Sequence, residues 1–163
     1  MIIRCATEDK LPAVVRLLAD ESLGAAREQV AEPLPGAYRA AFAAMEAQTG
    51  NDLIVAVKER EVVGCLQLTV IPGISRLGAT RAQIEGVQVA TGHRGSGIGE
   101  ALMQYAIARA TQSGCSLVQL TTDASRAEAQ RFYVRLGFDP THVGPTAFDE
   151  SGRFKTWRSK TDE

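Results

Sequence analysis

Val87-Gln88-Val89-Ala90-Thr91-Gly92-His93-Arg94-Gly95-Ser96-Gly97-Ile98-Gly99 decides how this chain is read. Its first part is an extended apolar run, its middle is rich in glycine, and Ile98 opens a helical pattern. A strand that runs through a glycine loop into a helix aims several backbone N–H groups at one point, at the positive end of the helix dipole. Such a point binds an anion, and phosphate fits it best. Four glycines in eight residues, two of them in the first helical turn, cost about 1 kcal/mol each relative to alanine. A plain turn has no use for that sacrifice.

Two familiar phosphate loops do not fit. The dinucleotide fingerprint GxGxxG takes Gly95 and Gly97, but its third glycine falls on Glu100. The P-loop GxxxxGK[ST] takes Gly92 and Gly97, but Ile98-Gly99 stand where lysine and a hydroxyl are needed.

Outward from the loop, Ala82 to Val89 reads as the strand before it and Ile98 to Arg109 as the helix after it, with Ile98, Leu102, Tyr105 and Ala106 on one stripe. Downstream, Leu117 to Thr121 is a strand. Ser125 to Leu136 is a helix stopped by Gly137, and His142 to Phe148 is a last strand. Upstream, Ile2 to Ala6 is a strand, and Asp9 with Pro12 begins a helix carrying Leu11, Val14 and Leu18. Ala37 to Gln48 is a second helix. Leu53 to Val57 and Val62 to Ile71 form a hairpin across the polar Lys58-Glu59-Arg60-Glu61. The order β-α-α-β-β-β-α-β-α-β gives an α/β (α+β) fold: one domain over residues 1–148, a mixed, mostly antiparallel sheet with helices on both faces. Residues 149–163 form a tail with eight charged side chains in fifteen, plus Phe154 and Trp157.

The segment Arg94-Gly95-Ser96-Gly97-Ile98-Gly99 has the form [RQ]xxGx[GA]. Ala129-Gln130-Arg131-Phe132-Tyr133-Val134-Arg135-Leu136-Gly137-Phe138 has the form AxxFYxxLGF. Together, at this separation and in this order of elements, they resemble the acetyl-CoA pyrophosphate loop and the following motif of the GNAT superfamily of N-acetyltransferases. The resemblance runs from Ile2 to about Phe148. Arg126 departs from it, where many members carry asparagine. The resemblance implies acetyl-CoA as cofactor, held by Val87, Gln88, Val89, Arg94, Gly95, Ser96, Gly97, Ile98, Gly99 and Phe132. It also implies a small-molecule amine as acceptor and a homodimer.

Acetyl transfer to an amine sets three demands. A lysine-like amine holds its proton at pH 7 at a cost of about 4.6 kcal/mol to remove, so a base or ordered water must carry that proton. The thioester oxygen needs a donor as it becomes an oxyanion. The departing thiolate gains from a proton. Glu85 is the candidate base: it lies on the strand leading to the loop, with Val87 and Val89 expected on its face. A salt-bridged strand glutamate is the plainer alternative. Gly86 in mid-strand points to a bulge, which would free the N–H of Val87 or Val89 for the oxyanion. Tyr133 is the candidate acid, its hydroxyl neutral at pH 7; a core aromatic beside Phe132 is the alternative. Arg27, Arg76, Arg81 and His142 could line the acceptor side. Ser116, Ser125 and Thr121 form no nucleophile triad with either histidine, so direct transfer is favoured. A non-catalytic acyl-CoA-binding module on the same fold is the competing reading.

Composition sets the remaining bounds. The formal net charge is −1 and charged residues are 23%, without the basic surplus of a nucleic-acid binder. The longest apolar runs, such as Leu53 to Val57, are too short to span a membrane. The start carries no secretory pattern, so a cytoplasmic protein is expected. Cys5, Cys65 and Cys115 form no CxxC, and with two histidines they suggest small buried hydrophobes rather than a metal site.

Overall fold

A computed structural model describes residues 1–21, 24–123 and 125–140. They fall into two compact units that divide between Thr121 and Thr122. The expected strand at His142 to Phe148 and the tail at 149–163 lie outside the described residues.

The first unit is built on a five-stranded sheet in sequence order. The strands are β1 Ile2–Cys5, β2 Asn51–Lys58, β3 Glu61–Ile71, β4 Arg81–Val89 and β5 Leu117–Leu120. The first four are antiparallel and β5 runs parallel to β4. This is the mixed, mostly antiparallel sheet that the pattern predicts. The β2–β3 hairpin turns on Glu59 and Arg60, both left-handed at φ 52° and 72°. That is the pair of positive angles a two-residue turn needs to match strand twist, met here without glycine.

The helices are α1 Leu11–Ala19, α2 Gly36–Glu46, the single turn α3 Ser75–Gly78, and α4 Ile98–Gln112. Pro12 sits in the first turn of α1, where its missing N–H has no cost. Asp9 lies in a preceding 3-10 turn and takes a hydrogen bond from the Thr7 hydroxyl rather than capping the helix. Alternation along β3 separates the two layers. Cys65 packs with Val55 against Leu11, Val14 and Leu17 of α1 and Phe42 of α2. Its neighbour Gly64 faces the other way, so close to α4 that a Cβ there would lie 2.9 Å from Leu102 Cδ1 and 3.2 Å from Ile98 Cγ2. On that side Ile54, Leu66, Leu68, Ile84, Leu102 and Met103 are shut off from water. Helices therefore cover both faces. Arg109 of α4 bonds Asp52 of β2 at 2.6 Å on the α4 side. Of the cysteines, Cys65 is buried, and burial pushes its thiol up to about 12. Cys115 is partly buried, but Cys5 is exposed on the edge strand, against the expectation of a buried hydrophobe.

The second unit contains α5 Ala127–Arg135. Gly137 follows it at φ 88°, the left-handed stop expected there. Among the described residues no helix is long and apolar enough to cross a membrane.

Candidate active site

The bulge in β4 fixes the site. Gln67 of β3 pairs with Glu85, and Cys65 pairs with Gln88. Two steps on β3 thus match three on β4. The extra residue sits at Gly86, whose φ of 60° is left-handed; glycine adopts it without a Cβ penalty. An extra residue reverses the alternation. Glu85 and Gln88 therefore share the α1 face with Cys65, while Val89, opposite Gly64, lies on the α4 face. The expectation that Glu85, Val87 and Val89 share one face is corrected, because the simple period of two does not survive a bulge.

Among the described residues the other edge of β4 has no strand partner beyond Ile84. Its pairing with β5 covers only Arg81 to Ile84, while β4 continues to Val89. Ala90 donates its N–H to Val63 O at 2.9 Å. By the two-residue repeat of an antiparallel ladder, Val89 turns its N–H and C=O away from β3, towards the vacated side. Its carbonyl there accepts from Arg94 Nε at 3.2 Å.

The glycine loop follows. Gly95 and Gly97 are left-handed at φ 76° and 82°. A Cβ at Gly92, Gly95 or Gly97 would meet nothing within 4 Å, so the concave side of the loop is open. Ser96 donates its hydroxyl to His93 O at 2.5 Å, which turns the loop on itself. Gly97 is the N-cap of α4, with no side-chain cap. The N–H groups of the first turn, from Ile98 and Gly99 on, are thus available for an anion. Ile98 buries its side chain and can offer only backbone.

Two carboxylates at the end of α1 hold this junction, and sequence reasoning missed both. Asp20 accepts from Thr91 Oγ1 at 2.5 Å and Thr91 N–H at 3.3 Å, and lies 3.7 Å from Arg94 Nη2. The Thr91 hydroxyl, foremost, holds the Asp20 carboxyl below its ordinary range, with the Thr91 N–H and Arg94 adding to it against partial desolvation. Glu21 Oε2 accepts from Gln88 Nε2 at 2.7 Å. Gln88 thus spends its buried side chain on the α1 face, and its offer to a cofactor is backbone. One local signal existed: two acids at the negative end of a helix oppose the dipole and call for an external partner.

Of the other expected residues, Glu85 is exposed, and Arg81 opens β4 on the same face. Arg76 stands in the left-handed α3 turn beside the fully exposed Leu77, and Arg27 is exposed in the segment after α1. His142 lies outside the described residues. In the second unit Tyr133 is the buried residue of α5. Its ring meets Phe132 edge-on at 5.2 Å and Phe138 at 6.2 Å.

Residues 15–138 match the sequence profile of the Acetyltransferase (GNAT) family. The chain belongs to the GNAT acetyltransferase family. Its members are acyltransferases that take the acyl group from acetyl-CoA, and a strand with an open edge running into a capless, glycine-lined helix start suits that donor's pyrophosphate. The chain is similar to an aminoalkylphosphonate N-acetyltransferase of Salmonella typhimurium, 31% identical over 106 residues that cover 65% of this chain and 68% of that protein. Among solved structures, it is similar to a protein of Bacillus halodurans C-125 described as a transcriptional regulator. That match has a TM-score of 0.87 and 46% identity, covering 89% of this chain and 97% of the other. A putative acetyltransferase of Agrobacterium tumefaciens matches with a TM-score of 0.80 and 28% identity, over 90% and 98% of the two chains.

Proposed function

We propose that this GNAT protein is an N-acetyltransferase that moves the acetyl group of acetyl-CoA directly to the primary amine of a small molecule. The observation that carries the reading is the Gly86 bulge. It sets a carboxylate on one face of β4 and, four residues on, a backbone N–H turned to the strand's open edge, just before the anion loop. In the proposed reaction the amine nitrogen attacks the thioester carbon. Glu85 takes the amine proton, directly or through water, and the Val89 N–H faces the developing oxyanion. The C–S bond then breaks, and Tyr133 gives its hydroxyl proton to the thiolate. The coenzyme's pyrophosphate rests on the backbone of Arg94 to Gly99. Phe132 lies against the coenzyme's arm, and Val87 and Gln88 meet the cofactor along β4.

An assay that follows free thiol and acetylated product across a panel of amines tests the reading. Stoichiometric release of thiol and acetyl-amine is the expected result. Tight acetyl-CoA binding with no amine acetylated would leave an acyl-CoA-binding module instead. The regulator description of the Bacillus halodurans protein suggests DNA as a partner, but a net charge of −1 gives no support to that reading here. A homodimer and a cytoplasmic location remain part of the proposal; light scattering at about twice 17.4 kDa would bear out the dimer.

A further inference from the structure

The sheet face under α1 changes character along its length. Around Val55 and Cys65 it is apolar and covered. Further along, the strand register lines up Asn51, Thr69, Gln83 and Gln119 in one row across β2 to β5, with Leu53, Gln67 and Glu85 in the next row, where Leu53 still packs against the apolar cluster. On the opposite face the same stretches bury Leu68, Ala82 and Ile84 completely or nearly so. One side of these strands is core, and the other is a half-exposed surface of amides and a hydroxyl.

That surface is tied together. Gln67 Nε2 donates to Asn51 Oδ1 at 2.9 Å, and Thr69 Oγ1 donates to the same oxygen at 3.3 Å. Gln119 Nε2 donates to Gln83 Oε1 at 2.7 Å. Each bond uses one end of an amide and fixes its other end. Gln67 Oε1 and Gln83 Nε2 are left without a partner among the described residues, an acceptor on the residue paired across from Glu85 and a donor two residues before it on β4. Among the described residues the strands supply no cation there. Arg81, the next charged residue of β4 on that face, is four residues from Glu85, roughly 13 Å along the strand. Its Nη1 lies beside Gly73, 3.5 Å from where a Cβ would be.

We propose that this row of amides beside Glu85 is the recognition surface for the acceptor, and that Gln67 and Gln83 select a primary amine bearing hydroxyl or amide groups near its nitrogen. A plain alkylamine leaves both amides unpaired. An amine with an anion two or three bonds away brings that anion to Glu85 with no cation of the sheet to meet it. The inference rests on the N-acetyltransferase reading, because Glu85 locates the amine.

Three small primary amines test it with acetyl-CoA: 3-amino-1,2-propanediol, propylamine and 2-aminoethylphosphonate. The wild-type protein is expected to favour the diol in kcat/KM. Gln83→Met and Gln67→Met keep side-chain length and remove the amide. Each should lower the diol-to-propylamine ratio by about 3- to 10-fold, the worth of one hydrogen bond, with the change in KM rather than kcat. Calorimetry of each probe on the coenzyme A-loaded protein supplies a readout independent of turnover, and circular dichroism checks the variants' fold. Diol binding that depends on Gln83 without acetylated product would uphold the surface and sink the transferase reading. Turnover that favours propylamine or the phosphonate, or a ratio unmoved by both variants, would overturn the surface and leave the transferase reading standing. Absence of both binding and turnover with all three probes would also overturn it.

Discussion

Gly97 combines a left-handed backbone with an open approach. A β-branched side chain there meets no protein atom, but it strains the backbone and stands where an anion must come close. Gly97→Val should therefore lose at least about tenfold in acetyl-CoA affinity by calorimetry, a 1.4 kcal/mol effect. The overall fold, followed by circular dichroism, should persist. Unchanged affinity would remove the loop from the cofactor site. Glu85 and Tyr133 separate by pH. Tyr133→Phe keeps the ring contacts to Phe132 and Phe138 and removes only the hydroxyl. If that hydroxyl protonates the thiolate, single-turnover rates should fall about 10- to 1,000-fold at little cost in acetyl-CoA affinity. Glu85→Gln should slow the reaction most at neutral pH. Its deficit should shrink as pH rises towards the amine's own pKa near 10.4, where the amine sheds its proton unaided. Wild-type turnover in Tyr133→Phe would make Tyr133 a packing residue.

Among the elements, α1 joins the two halves of the site. Its C-terminal acids oppose the helix dipole, and their partners on β4 and the loop offset that cost. Because Asp20 has a folded-state pKa below its ordinary value, the folded protein binds fewer protons there than the unfolded chain. The stability from this contact is present above the unfolded pKa and is lost as pH falls through the folded value. Asp20→Asn should thus lower the urea midpoint at pH 6, and the gap to wild type should close as pH drops below about 4. A gap constant from pH 6 to pH 3 would show that the charge of Asp20 does not hold the junction.

Within the first unit, the two faces of the sheet meet at Gly64. There a Cβ would lie 3.0 Å from Gln88 O as well as against Leu102 and Ile98. Its φ is not left-handed, so the demand is purely one of space. Gly64→Val should destabilise by about 1–3 kcal/mol in urea denaturation, as overpacking of a filled core does. Since α4 would be pushed from β3, acetyl-CoA affinity should fall with it. A neutral substitution would mean that α4 does not pack as closely as Leu102 and Ile98 indicate.

Among the described residues the order of the strands and of the longer helices was legible in the sequence, because hydrophobic period and glycine stops are local signals; the single turn α3 was not. So was the glycine loop, since the left-handed backbone at Gly95 and Gly97 calls for glycine at those positions themselves. Gly86 announced its bulge for the same reason. What the bulge does to Glu85 and Val89 was not legible. A face is fixed by pairing with β3, and one unpaired residue reverses every side chain beyond it. The stripe expected on α4 held at Ile98, Leu102 and Ala106, but Met103 and Ala110 rather than Tyr105 complete the buried set, because the layer beneath decides how wide a stripe is covered. Asp20 and Thr91 are 71 positions apart, and Gln67 meets Asn51 only through strand register. Such contacts leave no periodic trace in a chain. Most elements and the glycine loop are thus readable from the chain alone, through short-range backbone demands. Which side chains stand around Glu85 follows from cross-strand register and from where α1 ends, and so appears first in the folded chain.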